Sequence, residues 1–176
     1  MDAHTVCGDA RLLEEVQRSL MTLATDNDAM LSRFAAAIDS FGSGTGWWNR
    51  LLGLGEGEQQ LNLKKEGIFP LVHGVRSLAL AHRLTEVSTT GRIAALVAEG
   101  QLSSDMAADL TDSLYFFMGL KLKAGLAELE TGKPVTGAVN VARLSSLDRD
   151  LLKDTLGVVK RFKILLRLRF HLENLG

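Results

Sequence analysis

The amino-acid sequence predicts an all-α fold, a bundle of about six helices in which two long helices form an antiparallel pair. Three observations support this prediction. Six segments carry apolar residues at spacings of three and four, the connections between most of them are short, and two segments are long enough to pack along each other. A chain of 176 residues buries roughly 70% of the surface that it exposes when unfolded, so it can fold as one domain.

The first two helices are predicted on either side of a short polar break at residues 25–28. Asn27 or Asp28 can cap the second helix, because their side chains accept hydrogen bonds from N–H groups that lack helical partners. The helical spacing is carried by Leu12, Leu13, Val16, Leu20 and Leu23 in the first helix, and by Leu31, Phe34, Ile38 and Phe41 in the second.

A glycine-rich loop with large apolar side chains is predicted next. Residues 42–57 contain six of the 17 glycines, interleaved with Trp47, Trp48 and Leu51. Polar and apolar residues then alternate over residues 60–64. One short β-hairpin is therefore allowed within residues 47–64, with the tryptophan segment as the partner strand.

The third and fourth helices are predicted from their start and stop signals. Pro70 suits the first turn of the third helix, which ends near Arg83. Ser88 and Thr89 can cap the fourth helix, and Gly100 stops it. The predicted apolar face consists of Leu71, Val72, Val75, Leu78, Ala79 and His82 in the third helix, and of Ile93, Leu96 and Val97 in the fourth.

The two longest helices come last. The fifth begins at Ser103 or Ser104 and ends at residues 132–134, which read Gly-Lys-Pro, and the sixth is capped at Ser145 or Ser146. Apolar residues recur at Leu110, Leu114, Met118, Leu122, Leu126 and Leu129 in the fifth helix. The predicted buried stripe of the sixth is Leu152, Thr155, Leu156, Val159, Phe162, Leu166 and Phe170.

Composition and charge exclude several classes of protein. A formal net charge of −1 gives no overall field that would attract nucleic acid or an acidic membrane. The single cysteine, Cys7, excludes a disulfide scaffold, and no apolar run is long enough to span a membrane. We therefore expect a cytoplasmic protein with no nucleic-acid and no membrane partner.

The sequence contains no complete catalytic or metal-binding motif. The glycines at residues 42–46 lack the spacing of a dinucleotide or phosphate loop. His73 and His82 are nine residues apart on one helix and point to opposite sides, while His4 and Cys7 lack the second ligand pair of a tetrahedral site. No serine or cysteine hydrolase motif is present.

A local excess of basic residues lies in the last helix, where no acidic residue occurs between positions 155 and 172. This stripe is either a solvated face that complements the negative C-terminal end of the helix, or a surface for an anionic ligand or an acidic partner. Its members are Lys160, Arg161, Lys163, Arg167 and Arg169.

Lys64, Arg76 and Arg92 are the other basic residues of interest. Arg76 lies among predicted core positions, where a charged side chain is costly unless it has a partner. Arg76 therefore either forms a structural ion pair or holds an anion in a cleft.

Several stretches of the chain match a pattern that recurs in one family of helical domains. They are LKKEGIFPLV (63–72), VRSLAL (75–80), residues 89–96, LSSLDRDLLK (144–153), VVKRFK (158–163) and residues 169–170. The sequence thereby resembles the putative nucleotidyltransferase substrate-binding domain, the helical C-terminal part of bacterial signal-transduction proteins similar to the protein-PII uridylyltransferases. Residues 6–9 resemble the junction that follows the nucleotidyltransferase core of that family.

The resemblance implies that residues 1–8 are the remnant of a preceding nucleotidyltransferase-like domain and that residues 9–176 form one helical substrate-binding or regulatory domain. Catalysis then belongs to the preceding domain, which would hold Mg²⁺ and a nucleoside triphosphate. The family's Gly-Ser motif and paired carboxylates have no counterpart in this chain, so we expect it to bind no cofactor and to be non-catalytic by itself. Cyclic-nucleotide-binding and paired CBS modules often stand upstream in such proteins.

The partners that the resemblance implies are the upstream domain and an acceptor substrate, which can be a protein. The candidate substrate-binding residues are Lys64, Arg76, Arg92, Lys160 and Arg161.

A second hypothesis is a helical interaction module, in which the bundle forms a homodimer or docks upstream CBS or cyclic-nucleotide-binding domains. Trp47, Trp48 and Leu51 motivate it, because apolar side chains on a glycine-rich loop are either folded under or offered to a partner. A third hypothesis is a small-molecule sensor with a cavity between the helices.

Overall fold

A computed structural model of the chain describes residues 3–40 and 60–175, the side chains of residues 174 and 175 excepted. Within these ranges the protein consists of six α-helices, several short helical turns and two very short strands. The α-helices are α1 (Ala10–Thr25), α2 (Asp28–Ala36), α3 (Phe69–Ala81), α4 (Thr89–Ala98), α5 (Ser104–Glu130) and α6 (Ser146–Arg169). The predicted all-α class is confirmed. None of the described helices is both long enough and apolar enough to cross a membrane.

Short elements fill the connections. The 3₁₀ turns are Ala37–Asp39, Val141–Arg143 and Leu172–Leu175, and a π-helical turn, Lys64–Ile68, leads directly into α3. The strands are β1 (Gln60–Leu61) and β2 (Val139–Asn140), which pair antiparallel with Leu61 opposite Val139. The tryptophan segment that was the predicted partner of residues 60–64 lies outside the described residues.

The predicted strand over residues 60–64 is wrong at its end, because Lys64 begins the π-helical turn. Asn62 explains the change. Its side-chain Oδ1 accepts a hydrogen bond from the N–H of Lys65 at 3.1 Å, and its carbonyl oxygen accepts from the N–H of Glu66 at 3.0 Å. An asparagine that bonds to nearby backbone groups competes with strand pairing and starts a turn.

The predicted helix starts are confirmed, since the side chains of Asn27, Ser88, Ser103 and Ser145 each accept a hydrogen bond from a backbone N–H in the first turn of α2, α4, α5 or α6. Four of the helix ends coincide with left-handed residues shortly after the last helical residue. They are Arg83 (φ 57°) after α3, Gly100 (φ 65°) after α4, Gly132 (φ 67°) after α5 and His171 (φ 50°) after α6.

Helix α3 lies at the centre of the bundle, with eight of its 13 residues buried. A larger apolar cluster surrounds it, and a smaller one lies beside the two strands and the start of α6. Helices α5 and α6 run antiparallel, because Asp109 pairs with Arg161 near one end and Lys123 pairs with Asp148 near the other. The predicted buried stripe of α6 is confirmed from Leu152 to Phe170.

Helix α5 presents its predicted apolar row to the core only in its first half. Leu110 and Leu114 are buried, whereas Met118, Leu122 and Leu126 are exposed. Four residues advance the side chain by 400°, so a row spaced by four drifts about 40° around the helix at each step. The row that starts in the core at Leu110 therefore reaches solvent by its second half.

In helix α1 the predicted apolar positions also differ from the positions that are buried. Its predicted apolar positions Leu12, Val16 and Leu23 are exposed, while Ala24 is buried and Leu20 is half-buried. The helix is confirmed, but its apolar stripe is rotated away from the core.

Candidate functional site

Helices α1 to α4 enclose a cleft of about 310 Å³ that contains two of the predicted site residues. Arg76 reaches it from α3 and Arg92 from α4. The other lining residues are apolar: Leu20, Met21, Met30, Phe34, Ala79, Leu80 and Leu84. Among the described residues that line this cleft none is acidic, so two arginines stand in an otherwise apolar wall.

The local sequence explains how the two arginines come to share the cleft. Arg76 lies on the side of α3 between the buried Val75 and Ser77, and its side chain is half-buried. Ser88 caps α4 and fixes its first turn, after which Arg92 lies beside the buried Ile93. Arg92 is only 3% exposed.

A charged side chain that is buried or half-buried needs a hydrogen-bond or ionic partner, because removing a charge from water is costly. Arg76 and Arg92 each have at least one further electrostatic, hydrogen-bond or ring contact within the protein. An anion that enters the cleft would share these groups with that contact or replace it.

The remaining three candidates lie elsewhere. Lys64 is exposed at the start of the π-helical turn, and Lys160 and Arg161 are exposed on α6. The Nη2 atom of Arg161 pairs with Oδ2 of Asp109 on α5 at 2.8 Å. The structure thus brings Arg76 and Arg92 together in one cleft and places Lys64, Lys160 and Arg161 outside it.

The basic stripe of α6 is largely paired within the protein. Asp39, just after α2, accepts from Lys163 Nζ at 2.8 Å, and its two carboxylate oxygens accept from Arg167 Nη2 and Nε at 3.0 and 3.1 Å. Burial raises the pKa of Asp39, but the hydrogen bonds and positive charges of Arg167 and Lys163 outweigh it, so its pKa lies below the usual value. This cluster joins the end of α2 to α6.

Replacing Asp39 by asparagine is expected to lower the free energy of unfolding by about 1 kcal/mol at pH 7, since both ion pairs are partly exposed. Because the folded pKa of Asp39 is depressed, its contribution is fully present above the ordinary value of 3.8 and is lost as the pH falls through the folded pKa. Urea denaturation of both proteins between pH 7 and pH 3 measures this difference. The exposed Asp154 on α6 provides the control, Asp154→Asn, which should match the wild type throughout.

Arg169, the last member of the stripe, reaches back to the loop regions after α3 and α4. Its Nη2 atom donates to Nε2 of His82 at 3.0 Å and to Oε1 of Gln101. Burial and the neighbouring charge of Arg169 hold the pKa of His82 below its usual range. The neutral imidazole is therefore a hydrogen-bond acceptor that helps to hold the end of α6.

His73 has a structural role in the core. It is buried, its Nε2 atom lies 2.7 Å from the carbonyl oxygen of Phe34, and its ring stacks on that of Phe69 with centroids 5.2 Å apart. His82 occupies a different environment, where its Nε2 atom contacts Nη2 of Arg169. No group of three or more potential metal ligands occurs in residues 3–40 and 60–175.

Sequence reasoning did not single out the apolar wall of the cleft. Met30, Leu84 and Leu20 line it, yet the sequence marks them only as apolar residues in or near helices. Nothing in a single sequence distinguishes an apolar residue that lines a cleft from one that fills the core. Arg76 was recognisable because a charged residue among core positions is unusual.

One family model matches the chain over most of the helical bundle. Residues 28–170 match the family model described as the putative nucleotidyltransferase substrate binding domain, while no curated protein and no solved structure matches the chain. The match extends from the first residue of α2 to the residue after α6 and includes both cleft arginines. The chain therefore belongs to the putative nucleotidyltransferase substrate binding domain family.

Proposed function

We propose that this domain binds the acceptor substrate of a cytoplasmic nucleotidyltransferase-like signalling protein, and that the cleft of Arg76 and Arg92 receives an anionic group of that substrate. The observation that carries the proposal is the pair of arginines that line a cleft whose other lining residues are apolar. The domain has no catalytic role by itself in this proposal.

The physical chemistry of the cleft favours an anion attached to an apolar body. A guanidinium presents planar, forked donors that match carboxylate and phosphate oxygens, and its charge acts more strongly where water is excluded. The volume of about 310 Å³ is at the lower end of the range for small-molecule sites. The cleft therefore suits a small ligand or one group of a larger acceptor, including a side chain of a protein.

Catalysis in this proposal belongs to an upstream nucleotidyltransferase-like domain, which binds Mg²⁺ and the nucleoside triphosphate as in the uridylyltransferase-like proteins. Upstream cyclic-nucleotide-binding and CBS modules would regulate it. The family match supports the link to nucleotidyltransferases. The role of this chain is then to position the acceptor beside the catalytic centre.

A thermal-shift titration with anionic compounds tests the cleft. The compounds are nucleoside triphosphates, cyclic nucleotides, inorganic phosphate and small acidic metabolites, each with and without Mg²⁺. A ligand at 100 times its dissociation constant stabilises the protein by about 2.7 kcal/mol, which is about 5–10 °C in melting temperature for a domain of this size. We expect a saturable shift with at least one of these compounds and its loss in Arg76→Gln and Arg92→Lys.

Two control variants locate the site. Arg149→Ala removes an exposed arginine at the start of α6, far along the chain from the cleft residues, and should leave the shift unchanged. Lys160→Ala tests the exposed side of α6, where two other predicted substrate-binding residues, Lys160 and Arg161, lie. A shift that survives Arg76→Gln but disappears in Lys160→Ala would contradict the cleft and assign binding to α6.

A second candidate function is docking of the upstream regulatory domains. The exposed apolar side chains of Leu12, Val16 and Leu23 on α1 favour it, since a contiguous apolar face on a surface helix marks an interaction site. The absence of any shift in the titration above would favour this function over substrate binding.

A further inference from the structure

The arginine cleft continues into a second concave space along α1. This space, which we call the α1 groove, has a volume of about 430 Å³. Met21 lines both the cleft and the groove. The loop after α3 also joins them, since Leu84 lines the cleft while its neighbours Arg83 and Thr85 line the groove. The other residues that line the groove are Glu14, Gln17, Arg18 and Thr22.

Helix α1 turns its polar side, and not its apolar side, toward this groove. At 100° per residue, the groove residues from Glu14 to Thr22 fall within an arc of about 140°. The exposed Leu12, Val16 and Leu23 are centred on nearly the opposite side of the helix. A surface helix normally directs its apolar side to the protein. The reversed orientation of α1 therefore indicates that the groove is a space for hydrogen-bonding groups.

The charges of the groove balance, in contrast to those of the cleft. Glu14 lies one helical turn from Arg18, and Nη2 of Arg83 pairs with Oδ1 of Asp26 at 3.3 Å. The cleft is lined by two arginines and, among the described residues, by no acidic side chain. The cleft therefore attracts an anionic group, whereas the groove offers hydrogen bonds without a net charge.

The walls of the groove are held in place by contacts within the protein. Gln17 is half-buried, and its Nε2 atom donates to the carbonyl oxygen of Ala3 at 3.2 Å, so that its Oε1 atom remains an acceptor. Arg83 has a left-handed φ of 57°, which glycine adopts more easily. The side chain gives a reason for an arginine at this position, because its Nε atom donates to Oγ1 of Thr25 at 2.9 Å and ties the loop to the end of α1.

We propose that the ligand of the arginine cleft is an elongated amphipathic acid that also occupies the α1 groove. Its anionic end lies between Arg76 and Arg92, and its far end is an uncharged hydrogen-bonding group such as a hydroxyl. The apolar body of the ligand passes the flexible side chain of Met21. Because Glu14 lies seven residues before Met21, the groove extends about 10 Å beyond the cleft along α1.

This inference rests on the proposed function and gives the acceptor an orientation. The proposed catalytic domain precedes α1 in the chain, and the groove runs from the cleft toward the N-terminal half of α1. The anionic end of the acceptor is therefore the anchor, and the polar far end is the part that faces the upstream domain.

An NMR titration of the 176-residue chain with three linear acids tests the length and the polar end of the ligand. The probes are butyrate, octanoate and 8-hydroxyoctanoate. We expect 8-hydroxyoctanoate to bind at least about tenfold more tightly than butyrate, because its additional CH₂ groups are buried along Met21. It should bind about fivefold more tightly than octanoate, because its hydroxyl group forms a hydrogen bond in the groove. All three acids should shift the Nε–H resonances of Arg76 and Arg92.

Gln17→Leu is the decisive variant, since it removes a polar group of the groove and leaves the cleft unchanged. It should abolish the preference for 8-hydroxyoctanoate over octanoate and keep the affinity for butyrate, which also verifies that the variant is folded. Ser19→Leu is the matched control, because it places the same side chain at an exposed position of α1 outside the groove, and it should bind all three acids like the wild type.

The outcomes separate this inference from the proposed function. Equal affinities for butyrate and 8-hydroxyoctanoate, or a preference for the hydroxyl group that survives Gln17→Leu, overturn the inference and leave the proposed function intact. If none of the three acids shifts the resonances of Arg76 and Arg92, both the proposed function and this inference are contradicted.

Discussion

Replacing Gly74 by valine is expected to lower the free energy of unfolding by about 3 kcal/mol, the upper end of the usual cost of overpacking a core. Gly74 lies in α3 where this helix meets α6. A Cβ atom built at this position would lie 2.4 Å from Cδ1 of Leu166 and 2.7 Å from Cε1 of Phe162. Both neighbours are fully buried, so neither can move aside without disturbing the main apolar cluster.

Urea denaturation followed by circular dichroism measures this effect, with Gly157→Val as the control. Gly157 lies within α6, and a Cβ atom built there meets nothing within 4 Å. The helix propensities of glycine and valine differ by much less than the cost of a steric clash. We therefore expect Gly157→Val to change the free energy of unfolding by only a few tenths of a kcal/mol. Equal effects of the two substitutions would show that α3 and α6 do not approach each other closely at Gly74.

The helices themselves could be predicted from the sequence because their signals are local. Ser88, Ser103 and Ser145 cap helices at the predicted places, and Gly100 and Gly132 follow the ends of α4 and α5. A cap or a stop depends on a few neighbouring residues and on backbone geometry, both of which a sequence displays directly.

The orientation of a helix in the bundle could not be predicted with the same success. Helix α5 has apolar residues on two opposite sides, and only the packing of α6, the strands and the π-helical turn decides that Phe117 and Leu120 are buried while Leu122 is not. The apolar stripe of α1 likewise fails to coincide with its buried side. In both helices the exposed remainder is the part of the pattern that intramolecular packing does not explain.

The sequence singled out the two arginines of the cleft, but it could not predict that they lie together. Arg76 and Arg92 were both among the five predicted residues, and the structure puts them in one cleft. That proximity follows from the contact between α3 and α4, which depends on tertiary packing and on the loop at residues 82–88. Lys160 and Arg161 had the same charge and a similar local context, yet they lie on an exposed face.

A double-mutant cycle at Gly67 and Phe117 should reveal strong coupling between the π-helical turn and α5. A Cβ atom built at Gly67 would lie 2.6 Å from Cζ of Phe117, whose ring is fully buried in the smaller apolar cluster. Phe117→Ala alone is expected to cost about 4 kcal/mol, because it removes a buried ring and leaves a cavity. Gly67→Ala alone is expected to cost about 2 kcal/mol, since its methyl group collides with the ring.

The double variant should lose less free energy of unfolding than the two single variants lose together, by at least about 1 kcal/mol. The reason is that the methyl group introduced by Gly67→Ala enters the space that the ring has left. Urea denaturation of the wild type and the three variants gives all four free energies. Phe117→Leu serves as the control, since it keeps most of the apolar volume and should cost less than Phe117→Ala. Strict additivity would mean that the ring of Phe117 does not lie against Gly67, and that some other contact holds the turn carrying Lys64 at the start of α3.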